Sequence, residues 1–153
     1  MRSSILAFAL LTSAGTVAAA PSLIASTDAK GGVTLEFVAD SAAPVNAVLI
    51  ELPLVIKTKV SEQCIKAPSG FAALCNVDNQ VFKALVYSTN PDAAIPSAML
   101  GRVELPAGAV SLAKSGELDG LKMSGSDSAA APVVGEVLSQ GPTGQRATSA
   151  QEK

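Results

Sequence analysis

The sequence predicts an all-β domain, a sandwich or a barrel, and three observations support that prediction. Short segments such as residues 33–37 alternate apolar and polar side chains, the period of a strand with one buried face. Turn-forming Gly, Pro, Asn and Asp separate these segments at intervals of roughly 8 to 15 residues. No segment free of glycine and proline keeps the 3.6-residue period of an amphipathic helix over about three turns.

The strand candidates differ in whether one face or both faces are apolar and therefore expected to be buried. Residues 33–37 follow a turn over residues 28–32 and have one apolar face. Residues 45–54 are apolar on both faces, which predicts a central strand, although Pro53 should interrupt pairing near its end. The remaining candidates are residues 81–87, 99–105, 109–112 and 132–138.

The first residues have the pattern of a secretory signal peptide. Arg2 provides the positive charge, residues 5–11 are uninterrupted apolar, and small residues follow up to Ala20. Because signal peptidases do not cut directly before proline, Pro21 moves the predicted cleavage to the bond after Ala19. So short an apolar run does not span a bilayer. We therefore expect a signal peptide over residues 1–19 and an extracytoplasmic protein, secreted or periplasmic, that does not span the membrane.

Two further segments complete the predicted organisation. Residues 20–138 form the folded domain, and residues 139–153 have no strand pattern, which is typical of a disordered polar tail. The two cysteines, Cys64 and Cys75, lie in an irregular stretch over residues 60–76. In an oxidising compartment we expect them to form one disulfide, because their spacing matches no C-x-x-C metal or redox pattern.

The composition excludes several chemistries. The chain has no histidine, which removes His-based acid–base catalysis, Ser-His-Asp and Cys-His nucleophile systems, and His-ligated zinc. A net charge of −2 gives no electrostatic attraction for nucleic acid. Aromatic residues make up 3% of the chain, so stacking platforms for sugars are scarce.

The remaining motifs do not indicate an enzyme. The carboxylates are scattered, and no pair is singled out by spacing as a glycosidase would require. Ser111 and Lys114 match the S-x-x-K pattern of penicillin-binding enzymes, but they lie in a strand pattern without the companion motifs. Asp127 sits among Ser and Gly residues and is expected to cap a turn, since one carboxylate is too few for an EF-hand calcium loop. We predict no catalytic residue, no cofactor and no metal site.

Several segments resemble the cohesin-type domain, which is related in fold to family 2 and 3 carbohydrate-binding modules. Residues 82–88 (Phe-Lys-Ala-Leu-Val-Tyr-Ser), followed by Ile95-Pro96 and by residues 100–105, resemble the strand–loop–strand pattern of that family. The other matching segments are residues 47–52, 109–112, 121–127 and 132–133. The resemblance covers about residues 22–138. It implies a jelly-roll β-sandwich of eight or nine strands that works by binding and has no catalytic residues.

The resemblance also implies a partner, either a dockerin-like protein or a polysaccharide. Cohesins bind through a sheet face, and alternation along residues 82–88 turns Lys83, Leu85 and Tyr87 to one side. We expect these three side chains to form the binding face together with Arg102 and Glu104 of residues 99–105. The same pattern also fits an ordinary solvated sheet surface, and the alternative function is a structural or assembly protein of the cell envelope without a small-molecule ligand.

Overall fold

The computed structural model describes residues 20–141, which form nine β-strands in two sheets. This confirms the predicted all-β sandwich and its number of strands. The predicted signal peptide and most of the predicted tail lie outside the described residues. In chain order the strands are β1 (Ser22–Thr27), β2 (Val33–Val38), β3 (Ala47–Pro53), β4 (Phe71–Asp78), β5 (Val81–Ser88), β6 (Ala98–Val103), β7 (Lys122–Ser126), β8 (Pro132–Val134) and β9 (Glu136–Gln140).

The two sheets pack face to face. One sheet has four strands in the order β6-β2-β1-β9, and the other has five in the order β4-β5-β3-β7-β8. All neighbouring strands are antiparallel except β1 and β9, which pair in parallel. The alternation predicted for two strands is confirmed: Val33, Leu35 and Phe37 face the core from β2, as Phe82 and Ala84 do from β5.

Tight turns set the register of three hairpins. The turns after β1 and β7 are built alike, each on an aspartate whose Oδ1 accepts two backbone N–H groups. Asp28 accepts from Lys30 and Gly32 at 2.9 and 3.0 Å. Asp127 accepts from Ala129 and Ala131, both at 2.9 Å, so the predicted turn cap is confirmed. The β4–β5 turn holds Asn79 and Gln80 at φ 52° and 60°, which matches the right-handed twist of a hairpin.

The segment between β3 and β4 covers the gap between two edge strands. The backbone N–H of Cys75 in β4 donates to Glu62 O at 2.9 Å, and that of Lys66 donates to Leu100 O of β6 at 2.8 Å. Ile65 is buried between them. Cys64 and Cys75 are at bonding distance, as predicted, with their Cα atoms 5.9 Å apart. The covalent bond and these hydrogen bonds protect edges that would otherwise be free to pair with another chain.

The structure corrects several predicted strand limits. Residues 71–76, predicted to be irregular, belong to β4, whose alternation is concealed because the inward Ala73 and Cys75 are small and the outward Leu74 is apolar. Residues 109–112 form only isolated bridges, Leu54 with Val110 and Leu112 with Leu118. The sequence prediction also missed β1 and β7.

The predicted strand 132–138 divides at Gly135. Residues before the glycine pair with β7, and residues after it pair with β1 in the opposite sheet. β9 then continues to Gln140, which pairs with Ser26. β9 therefore ends two residues after Leu138, where the strand pattern in the sequence stops, because the parallel partner β1 is available there.

Candidate binding surface

The structure brings together three of the five predicted site residues. Lys83, Leu85 and Tyr87 alternate along β5 with the buried Phe82, Ala84 and Val86, so they share the outer face of the five-stranded sheet. All three are partly exposed. This part of the predicted face is therefore correct in its geometry, while its role in binding stays a prediction.

The other two predicted residues lie on the opposite side of the molecule. β6 pairs with β2 in the four-stranded sheet, and it does not pair with β5. Arg102 and Glu104 consequently face solvent on the other side of the sandwich from Lys83. The expectation of one shared face was wrong, because strands that follow each other in the sequence need not join the same sheet.

Arg102 forms ion pairs with two neighbouring carboxylates, which gives it a structural role. Its Nε donates to Asp28 Oδ2 at 2.7 Å, and its Nη1 pairs with Glu104 Oε2. An added Cβ at Gly32 would overlap the guanidinium, so the glycine leaves the space that Arg102 occupies. The Arg102 hydrogen bond lowers the pKa of the Asp28 carboxyl; loss of hydration acts in the opposite direction, and the N–H groups of Lys30 and Gly32 lower it further. Arg102 thus attaches the β1–β2 turn to β6.

The outer face of the five-stranded sheet has an apolar centre that the sequence prediction only partly contained. The strand register places Leu74, Leu85 and Leu49 side by side on β4, β5 and β3. We call these three residues the leucine row. The same line continues through Ser124 on β7 to Val134 on the edge strand β8. Leu74 is 48% exposed and Val134 is 82% exposed.

Polar and small residues border the leucine row on both sides. The next line towards the β4–β5 turn contains Asn76, Lys83, Glu51 and Lys122, so charges of both signs lie beside the leucines. The line on the other side contains Ala72, Tyr87, Ala47 and Ser126. An apolar centre with a polar rim is the usual arrangement of a protein recognition surface.

A depression of about 300 Å³ lies over part of this face. It is lined by Leu49, Leu74 and Leu85 together with Glu62, Cys75, Asn76 and Lys83. Glu62 belongs to the segment that the disulfide attaches to β4. The disulfide therefore fixes one wall of the depression as well as the edge strand that carries Leu74.

The outer face of the four-stranded sheet is different. Its central line runs Leu138, Ile24, Glu36 and Met99, so a carboxylate interrupts the apolar residues. Leu138 and Met99 are exposed at the two edges, with Met99 at 58%. Of the two faces, only that of the five-stranded sheet has three adjacent strands with apolar side chains in register.

In residues 20–141 no three His, Cys, Asp or Glu side chains lie close enough to hold a metal ion. Nor does this part of the chain contain a helix long and apolar enough to cross a membrane.

The fold and surface define a two-sheet β-sandwich whose five-stranded sheet has an apolar centre on its outer face. No family model matches the sequence, and no curated protein matches it. The solved structures that are similar to it include a non-cellulosomal cohesin from the hyperthermophilic archaeon Archaeoglobus fulgidus and the type II cohesin A11 from Bacteroides cellulosolvens.

The two similarities differ in how much of this chain they cover. The first covers 88% of this chain and 100% of that structure, with 12% identity and a TM-score of 0.47. The second covers 76% of this chain and 95% of that structure, with 8% identity and a TM-score of 0.47. Both structures are cohesins, the family that the sequence resembles.

Proposed function

We propose that this chain is a secreted, non-enzymatic binding module that recognises a protein partner through the outer face of the five-stranded sheet. The observation that carries the proposal is the leucine row, Leu49, Leu74 and Leu85, which lies in register across three strands. Full burial of a leucine side chain contributes about 1.5–3 kcal/mol. Leu49 and Leu85 are already partly buried and Leu74 is 48% exposed, so covering the row contributes a fraction of that value for each leucine. Tyr87, a favoured interface residue, lies beside the row.

The aromatic residues favour a protein partner on this face over a neutral sugar. Phe37 and Phe82 are buried, and Phe71 packs against the core. Among the described residues only Tyr87 offers an aromatic ring on this face. Neutral sugars bind to exposed aromatic platforms, whereas a protein can cover aliphatic side chains with its own.

The partner class follows from the sequence resemblance and from the rim. Cohesin-like sequence points to a dockerin-like protein. The rim beside the leucine row carries Lys83 and Lys122 together with Glu51. A complementary partner therefore has an apolar patch flanked by charges of both signs, and the rim charges set its orientation more than its affinity.

Secretion is part of the proposal. Residues 1–19 have the signal-peptide pattern, and the Cys64–Cys75 pair is at bonding distance, which fits an oxidising compartment.

The test compares two exposed apolar residues on edge strands of opposite sheets. Leu74→Ser removes one end of the leucine row, and Met99→Ser is the matched control, since Leu74 and Met99 are 48% and 58% exposed. The wild-type protein captures its partner from the secreted fraction of the source organism, and mass spectrometry identifies it. Titration calorimetry with the purified partner then measures each variant. We expect Leu74→Ser to weaken binding by at least about tenfold.

The Met99→Ser control shows whether a loss of binding is specific to the five-stranded sheet. Met99→Ser should bind as the wild type does, and both variants should keep the circular dichroism spectrum and melting temperature. Equal affinity of Leu74→Ser and wild type for the purified partner would exclude this face as the interface. Weakening by Met99→Ser alone would place the interface on the four-stranded sheet.

A further inference from the structure

A second depression lies at one end of the sandwich, beside the β4–β5 turn and away from the leucine row. Its volume is about 730 Å³, and it is open to solvent. It is lined by Lys57, Thr58, Lys59, Val77, Asn79 and Gln80. We call it the lysine depression.

The lysine depression has an excess of positive charge. In the part of the chain that the structure describes, neither Lys57 nor Lys59 forms an ion pair, and no carboxylate lines the depression. Asp78 adjoins the turn in sequence, but its Oδ2 lies 3.7 Å from Lys83 Nζ on the outer sheet face. Both lysines are exposed, and two positively charged side chains that line one concave surface attract an anion because their fields add there.

The other lining groups supply both donors and acceptors. Thr58 Oγ1 donates to Ile56 O at 3.0 Å, which leaves its lone pairs free. Gln80 Nε2 donates to Leu54 O at 3.3 Å, so its amide oxygen stays available. The Asn79 amide forms no hydrogen bond within residues 20–141 and offers both functions. Val77 adds an apolar surface.

The turn that carries the two amides is held in place. The backbone N–H of Leu54 donates to Gln80 O at 2.7 Å, in addition to the side-chain bond to Leu54 O. Gln80 keeps φ at 60°, a conformation that glycine adopts at far less cost. These two hydrogen bonds to Leu54 fix the position of Gln80 at the edge of the depression.

We infer that the lysine depression binds an acidic polysaccharide through the carboxylate of a uronic acid residue. The lysines pair with the carboxylate, and the amide and hydroxyl groups of Thr58, Asn79 and Gln80 match the hydroxyls of the sugar ring. An acidic sugar can bind here through ion pairs with the lysines, without the aromatic stacking that a neutral sugar needs. This inference concerns a different surface from the leucine row and stands independently of the proposed function.

The experiment is affinity electrophoresis in gels that contain polygalacturonate, with dextran gels as the neutral reference. The test variant is Lys57→Gln/Lys59→Gln. The matched control is Lys66→Gln/Lys114→Gln, which makes the same change in net charge at exposed lysines outside the depression. We expect polygalacturonate, and not dextran, to retard the wild type and the control. The test variant should bind at least about fivefold more weakly, the effect of losing two exposed ion pairs.

Three results would overturn the inference. Wild-type protein that migrates equally in both gels at low ionic strength does not bind the polymer. An equal loss in the test and control variants means that only the net charge matters. Binding of poly-L-glutamate as tight as that of polygalacturonate means that the site does not recognise the sugar. Leu74→Ser should keep wild-type retardation, which separates this site from the leucine row.

Discussion

Two aspartates perform the same local task at different places in the fold. Asp28 and Asp127 each start a turn in which Oδ1 accepts the N–H groups two and four residues later. The third residue after each aspartate has a positive φ, and it is Gly31 in one turn and Ala130 in the other. Because a Cβ makes this conformation unfavourable, the second turn is strained where the first is relaxed.

Ala130→Gly should therefore raise the free energy of unfolding by about 0.5–1 kcal/mol, because glycine adopts a φ of 63° without the Cβ penalty. Urea denaturation measures the effect. Ala129→Gly is the matched control: its φ is not in the left-handed region, so the substitution should lower stability through the entropy of the unfolded chain. Equal effects of the two substitutions would show that the conformation of Ala130 carries no strain.

The carboxyl of Asp28 should titrate below its ordinary pKa of 3.8, mainly because Arg102 donates a hydrogen bond to it. A lowered pKa in the folded state contributes stability above the pKa of the unfolded chain, and that stability is lost as the pH falls through the folded value. Arg102→Met should raise the Asp28 pKa, but only in part, because the N–H groups of Lys30 and Gly32 remain. Carbon-detected NMR titration follows the carboxyl directly; an unchanged pKa in the variant would contradict the assignment.

At the scale of elements, β4 links the candidate surface to the segment that covers the sandwich edge. Leu74 lies on its outer face and Cys75 on its inner face. On the edge that does not pair with β5, the backbone N–H of Cys75 donates to Glu62 O. The disulfide therefore acts on a strand that pairs with only one neighbour, β5. An edge strand has fewer hydrogen bonds to lose on local opening than a central strand has.

Cys64→Ser/Cys75→Ser should lower the free energy of unfolding by about 2–3 kcal/mol, the chain-entropy value for so short a loop. Hydrogen exchange should increase most in β4 and in the segment around Lys66, and least in β3, which lies between β5 and β7. Alkylation of the wild-type protein without reductant should add no label in the intact mass. Two labelled thiols in protein from its native compartment would contradict the disulfide.

At the scale of the whole molecule, the sandwich separates three surfaces. The leucine row lies on the five-stranded sheet, and the Arg102 ion pairs lie on the opposite side. The lysine depression lies at an end, between the segment after β3 and the β4–β5 turn. Because these surfaces do not share residues, a substitution on one leaves the chemistry of the others intact, and each proposal can fail without the others.

The local properties of the strands follow from the amino-acid sequence. A period of two is visible within a single segment, so residues 33–37 and the inward set Phe82, Ala84 and Val86 were predictable without the fold. The cysteine pair was predictable because these are the only two cysteines in the chain and a disulfide needs only an oxidising compartment. The Asp127 turn was predictable because an aspartate turn depends on neighbouring residues alone.

Which strands pair with each other is visible only in the fold. β6 follows β5 in sequence but pairs with β2, which separates Arg102 from Lys83 and brings it to Asp28. Leu74 joins Leu85 because β4 pairs with β5, although Ala73 and Cys75 conceal the alternation of β4 in the sequence. Strand pairing depends on packing between residues distant in the chain, so a local sequence pattern does not determine which strand becomes the partner.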